Sequence, residues 1–198
     1  MKGIFWTLAI ILAILIGLYP SAYFFMRDSD GLLSTKTPEL LANKLWRFAF
    51  YAHIFPGGLA LLTGWPQFIS SWRTLKPHWH RTLGKIYVIS VLVSGLAGLY
   101  IGFYATGGLV SQTGFIALAL IWLFSTLGAF RKIRKRNFAA HERWMIFSYA
   151  ATFAAVTLRL WLPMLIAFFE GDFDAAYPIV AWLCWVPNMV VAGWLVRR

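Results

Sequence analysis

Three of the four histidines, and one arginine, carry most of the chemistry this sequence could perform. His78 and His80 stand one residue apart in "LKPHWHRTLGKIY", Leu75 to Tyr87. His53 is followed by Pro56-Gly57-Gly58, His141 opens "HERWM", and Arg159 lies inside the apolar stretch "AAVTLRLWLP". Histidines are the side chains that ligate metals and haem iron, and an arginine set in apolar sequence calls for a partner or a cavity. A hydrolytic nucleophile–base–acid set is not discernible, because Ser94 has no titratable partner by spacing. Zinc is disfavoured, since cysteine ligands are lacking: the single cysteine, Cys184, lies in an apolar run.

The elements that must hold these residues are membrane helices. Sixty per cent of the 198 residues are hydrophobic, 13% are charged, and the mean hydropathy is +0.68. Soluble domains sit nearer half apolar and a quarter charged. The net charge of +11 would fit nucleic acid only if it covered a soluble face. It is confined to short segments between apolar runs, so no nucleic-acid partner is expected and the lipid bilayer is. A bilayer crossing takes about 20 apolar residues. Six runs qualify, at about 3–26, 45–71, 83–105, 110–130, 144–168 and 177–196. The expectation is an all-α, single-domain bundle of six transmembrane helices over 1–198. The first run exceeds a signal-peptide core and is read as a retained helix.

Basic residues set the orientation. Lys2, Arg73, Lys76, Arg81, Lys85, the five cations of "RKIRKR" (131–136), Arg143, Arg197 and Arg198 fall on one side, opposed only by Glu142. The other side holds Arg27, Lys36, Lys44 and Arg47 against Asp28, Asp30, Glu39, Glu170, Asp172 and Asp174. This asymmetry puts both termini in the cytoplasm of a multi-pass plasma-membrane protein. The "RKIRKR" cluster reads as a topology signal with some attraction for anionic headgroups.

Helical spacing then separates His78 from His80. Residues two apart on a helix point about 200° apart, so the pair cannot readily clamp one metal. From His80 the line Gly84, Tyr87, Val91, Ser94, Gly98, Gly102 faces the bundle. Equivalent lines are Ala49, His53, Gly57, Ala60, Gly64, Gln67, Ser71 on the second helix and His141, Met145, Ser148, Thr152, Ala155, Arg159 on the fifth. A shorter one, Tyr177, Ala181, Cys184, Asn188, Ala192, lies on the sixth. The fourth helix shows no such line and is expected to face lipid. Small residues on these lines first indicate tight packing. His53 and Arg159 fall at one depth, about 12–14 Å from the outer surface. Both are expected beside helix breaks, at Pro56 and Pro163, with a third at Pro187. An outer polar pocket lined by His53, Arg159 and Asn188 is therefore expected, its rival being a packed His–Arg pair. Arg47 is expected to reach the outer headgroups.

"HIFPGGLALLTGWPQF", "PHWHRTLGKIYV", "HERWM" and "AAVTLRLWLP" occur in an order and spacing that resembles a bacterial family of predicted membrane proteins, domain of unknown function 2306. The resemblance runs from about His53 to Pro163 and covers His53, His80-Arg81, Gly84-Lys85-Ile86-Tyr87, His141, Trp144-Met145 and Leu158-Arg159-Leu160. Lys85 stands where the family favours arginine, and no arginine follows soon after Met145. The resemblance implies a six-to-seven-helix protein of the bacterial inner membrane and names no reaction.

Three functions stay open. His80 and His141, inward-facing at matching depth, could ligate haem b in a small cytochrome-like or quinone-linked redox protein. The pocket at His53, Arg159 and Asn188 could instead serve a transporter or channel for a small solute or anion. No intramembrane carboxylate exists, which weakens a cation- or proton-driven carrier. An accessory or sensory role is the third.

Overall fold

A computed structural model describes residues 2–25 and 31–197. Arg27, Asp28, Asp30 and Arg198 in the charge tally, and Met26 at the end of the first expected span, lie outside the described residues. Those described are helical, with no strand among them. The helices are α1 (Lys2–Leu18), α2 (Pro38–Ala42), α3 (Lys44–Gly64), α4 (Ser70–Leu75), α5 (Pro77–Gly102), α6 (Gly108–Arg134), α7 (Phe138–Thr152), α8 (Ala154–Phe168), α9 (Phe173–Leu183) and α10 (Val186–Val196). Short 3-10 turns follow α1 at Tyr19–Phe24 and precede α2 at Gly31–Thr35.

Helix starts are read directly from side chains. The Asn43 amide oxygen accepts from Leu45 N and Trp46 N at 3.0 and 3.1 Å, starting α3. Asn137 and Asp172 do the same for α7 and α9, through Ala140 N and Ala175 N. Such caps satisfy N–H groups that have no partner within the helix. Gly107, at φ +86, makes the left-handed turn that redirects the chain into α6.

Five helical stretches are long and apolar enough to cross a membrane: Gly3–Phe24, Pro77–Gly102, Gly108–Arg134, Phe138–Phe168 and Phe173–Val196. The expected second span is not among them. Its helix, α3, has 21 residues, about 31 Å at 1.5 Å per residue, but Arg47, His53, Pro56, Gly57 and Gly58 dilute its apolar character. It packs along α5 more extensively than any other pair, followed by α6 on α7 and α5 on α6. Helix α1 lies on α3, α9 on α6 and α8, and α10 on α7.

The inward lines hold over most of their length, but the second helix ends at Gly64, so Gln67 falls in a 3-10 turn and Ser71, on α4, is exposed. Ala49, Ala60 and Gly64 on α3, Tyr87, Val91, Ser94, Gly98 and Gly102 on α5, and Ala181, Cys184 and Ala192 on α9–α10 are buried. Two expectations are corrected. Helix α6 is not mere lipid-facing bulk: Ser111, Gly114, Ala119, Trp122, Ser125, Thr126 and Ala129 are buried along one face. The breaks also move. Helices α3 and α8 run on through Pro56 and Pro163. The fifth span breaks instead at Phe153, just after Thr152, whose Oγ1 donates back to the Ser148 carbonyl of its own helix at 3.0 Å. Back-bonding of this kind bends helices. The sixth span breaks at Cys184–Trp185, just ahead of Pro187, which has no N–H to continue the ladder.

Candidate functional site

The inward line of α3 places His53 over a gap in α5. A Cβ on Gly98 would stand 2.7 Å from His53 Nδ1, so only glycine admits the imidazole there. His53 Nδ1 lies 2.9 Å from the Ser94 carbonyl oxygen, and Ser94 Oγ donates to the His53 carbonyl at 2.6 Å. A carbonyl only accepts, so the proton sits on Nδ1 and the Nε2 lone pair is left uncommitted. This reciprocal pair locks α3 to α5 and fixes the ring plane.

His53 and Arg159 line one cavity of about 230 Å³. Its wall includes Tyr23 from the turn after α1, Lys36 ahead of α2, Trp46, Gly57 and Gly58 from α3, and Gly95, Gly98 and Gly102 from α5. Leu118, Ala119 and Trp122 of α6, Ala151 and Thr152 of α7, and Tyr177 of α9 complete it. Arg159 spends one N–H on its own helix, Nη1 to the Ala155 carbonyl at 3.0 Å, and lays its guanidinium carbon 4.7 Å from the centre of the Tyr19 ring. A guanidinium has five N–H donors, so most are uncommitted. Lys36 Nζ donates to the Tyr104 carbonyl at 2.8 Å and to Thr106 Oγ1 at 2.9 Å, tying the segment ahead of α2 to the α5–α6 turn. Burial pushes the Lys36 ammonium down to about 8, which leaves it charged at neutral pH. Among the described residues no carboxylate lines the cavity.

Asn188 is not part of that wall. Its Nδ2 donates to the Ala150 carbonyl at 3.3 Å, to Thr157 Oγ1 at 3.1 Å and to the Cys184 carbonyl at 3.0 Å. Thr157 Oγ1 also donates to the Cys184 carbonyl. Asn188 therefore clasps the two helix breaks together, satisfying backbone oxygens at Ala150 and Cys184 that would be costly to leave bare at that depth. Arg47 donates Nε to the Leu41 carbonyl at 3.2 Å.

At the floor of the cavity lies a buried hydroxyl cluster that sequence reading divided between packing lines. Tyr87 OH is 2.7 Å from Ser148 Oγ and 2.8 Å from Thr152 Oγ1. Trp122 Nε1 donates to Thr152 Oγ1 at 2.8 Å, and Thr126 Oγ1 is 2.6 Å from Ser148 Oγ. Networks like this are stabilising because every member is satisfied.

The structure places His80 and His141 elsewhere. The cavity does not extend to them. His141 Nδ1 donates to the Ala129 carbonyl at 3.0 Å, while His80 Nδ1 is buried without a partner. Beside them a Cβ on Gly128 would stand 2.9 Å from the Trp144 ring, whereas one on Gly84 would meet Gln67 Oε1 at an ordinary contact distance of 3.5 Å. His78 is exposed beside Trp79. Among the described residues no group of three or more His, Cys, Asp or Glu could hold a metal ion.

Missed by sequence reasoning were Lys36, Tyr23, Trp46 and Trp122. Tyr177 and Thr152 stood on inward lines without being assigned to the pocket. Lys36 and Tyr23 lie in turns, where no periodicity ties a residue to a cavity wall, whereas Trp46 is on α3 one turn ahead of Ala49, so extending that inward line back would have reached it.

With no strand among the described residues and five helices long and apolar enough to cross a membrane, the chain is an integral, multi-pass membrane protein. It belongs to the family described as Predicted membrane protein (DUF2306), whose model matches residues 50–196. That match contains His53, Arg159 and the hydroxyl cluster, and leaves Tyr23, Lys36 and Trp46 outside it. No curated protein and no solved structure matches the chain.

Proposed function

We propose that this protein takes a small anionic solute into the cavity at Arg159 and His53, as the binding step of a transporter or channel. One observation carries the reading: the cavity wall holds Arg159, Lys36 and His53, with no carboxylate among the described lining residues. A buried guanidinium is expensive and is kept where it meets a partner or a wet cavity. Arg159 has a cavity and uncommitted donors, which is the arrangement that takes an anion in charge-assisted hydrogen bonds.

The same reading takes α3 as a sixth crossing. Its length matches a hydrocarbon core of about 30 Å, and its outer face includes exposed Leu45, Phe48 and Leu59. Six crossings put loops 73–85 and 131–143 on the cytoplasmic side with both termini and open the Arg159 end outward. Reporter fusions after Arg136 and after Glu170 check this: the first should report cytoplasm and the second the exterior.

The anion reading is tested by thermal unfolding of detergent-purified protein against chloride, sulfate, phosphate and simple organic acids. At least one should raise the midpoint of wild type and not of Arg159→Gln. If none shifts wild type, the reading fails.

A second reading, haem b held between His80 and His141, is favoured by the His141 tether. A histidine that donates Nδ1–H to a carbonyl leaves Nε2 free to ligate, as metal-bound histidines do. Haem there would supply one-electron redox chemistry, to a quinone for example. The Trp144 ring packed against Gly128 and the lack, among the described residues, of a cavity reaching His80 and His141 fit a porphyrin poorly, so the Arg159 cavity is the stronger site. A reduced-minus-oxidised spectrum tests it: a haem band lost in both His80→Ala and His141→Ala would revive this reading.

A further inference from the structure

We infer that the solute is a small organic carboxylate with an apolar body, about the size of benzoate, held with its carboxylate at Arg159 and its body toward α6. This rests on the anion reading above and adds to it the ligand's chemical class. The cavity is chemically two-ended. Thr152, on its floor, ends α7, and Arg159 lies on α8 beyond the bend at Phe153, yet both line the same cavity.

The polar atoms at the floor are already used by one another. Thr152 Oγ1 donates to the Ser148 carbonyl, receives the Trp122 N–H and meets Tyr87 OH. That exhausts a hydroxyl with one donor and two lone pairs, and it uses the only donor of an indole. The floor therefore shows a ligand mostly carbon, from Ala119, Leu118 and Ala151.

The Arg159 end is the opposite. Arg159 has uncommitted N–H groups, and His53 Nε2 has no partner among the described residues. The Tyr23 and Tyr177 rings line the same wall. An inorganic anion would satisfy that end and leave the apolar floor unfilled. A neutral aromatic would fill the floor and leave a guanidinium without its counter-charge. A carboxylate on an apolar body does both.

Size follows from volume. An apolar cavity of about 150 Å³ holds benzene, with six non-hydrogen atoms. By that ratio the cavity's 230 Å³ holds about nine, the number in benzoate. Long acyl chains from the bilayer carry about twice that number and do not fit within it.

Isothermal titration of detergent-purified protein decides the matter, with benzoate, its neutral isostere benzamide, sulfate, hexanoate and palmitate as probes. Benzoate and hexanoate should bind at least about tenfold more tightly than benzamide and sulfate, since the charge-assisted contact and the apolar filling are each worth that much. Palmitate should bind no more tightly than hexanoate. The variant Ala119→Leu, which narrows the floor, should weaken benzoate and leave the weaker sulfate binding unchanged. A ligand-free melt shows whether that variant is folded, and if it is not, the wild-type series decides alone.

Sulfate binding as tight as benzoate would overturn this inference while leaving the anion reading intact. Palmitate binding tenfold tighter than hexanoate would overturn the short body and assign the cavity to a membrane acyl acid. Equal binding of benzamide and benzoate, or no binding of any probe, would overturn both readings.

Discussion

The two ends of this bundle hold cationic and imidazole side chains in contrasting ways. At the His80 end, most of the arginines and lysines lie on the surface, and Arg73 and Glu142 pair loosely at 3.7 Å while both stay largely exposed. His141 is tethered, His80 is left half-buried, and glutamine and tryptophan fill the space beside them. At the Arg159 end fewer cations are present, yet Arg159, Lys36 and His53 all converge on one cavity. The surface charges at the His80 end are screened and contribute little individually. Their pattern is what the proposed orientation in the bilayer rests on. Charge inside the bundle is costly, so its placement is the better guide to chemistry. Number of charges marks topology; enclosure marks the site.

Changes at the Arg159 end should be felt strongly. Arg159→Gln removes the charge-assisted bonds, each worth about 1.5–3 kcal/mol, and should weaken anion binding by about 10- to 150-fold while the protein stays folded. Gly98→Ala forces a Cβ to within 2.7 Å of His53 Nδ1. It should lower unfolding stability by about 1–3 kcal/mol through overpacking and loosen the His53–Ser94 lock. Between the two ends, Tyr87→Phe leaves Ser148 and Thr152 each one partner short, and should cost about 1–2 kcal/mol in the same melt.

Lys36 tests the comparison through pH. Its ammonium is a base whose folded pKa, about 8, lies below its ordinary 10.5. The unfolded chain therefore holds the proton more tightly, and the cost of burying that charge is fully present below pH 8. The cost is relieved as pH rises from about 8 to 10.5. Stability from this group rises across that window while anion binding falls by a few-fold, because the cation is being lost. Binding and melting measured from pH 6.5 to 9.5 should move in these opposite directions, and Lys36→Met should flatten both. The smallest effect belongs to the other end: His80→Ala should change anion affinity by less than about twofold, because it removes no charge-assisted bond to the solute.

The inward faces of α3, α5, α7–α8 and α9–α10 were legible in the sequence because 3.6-residue spacing repeats over several turns. That spacing, together with a matching depth in the bilayer, brought His53 and Arg159 together. Helix α6 escaped notice although Ser111, Gly114, Trp122, Ser125 and Thr126 recur at helical spacing, because no ionisable residue drew attention to them. The break positions were misread for a physical reason. A proline inside a membrane helix is tolerated when neighbours re-satisfy the backbone, so Pro56 and Pro163 stay within helices while the back-bonded Thr152 marks the bend at Phe153. Asn188 looked like a pocket residue from depth and periodicity. Only the relative placement of both breaks shows it bound to Ala150 and Cys184. Lys36 and Tyr23 lie in short turns, where cavity membership depends on tertiary folding that periodicity does not carry.

The account stands on Arg159 meeting a ligand rather than simply packing. Benzoate titrated calorimetrically into wild type and Arg159→Gln, both shown folded by ligand-free melting, tests this most directly. A saturable isotherm in wild type that is weakened at least tenfold in Arg159→Gln is the predicted result. Equal isotherms in the two proteins would contradict it, leaving Arg159 a structural cation stacked on Tyr19.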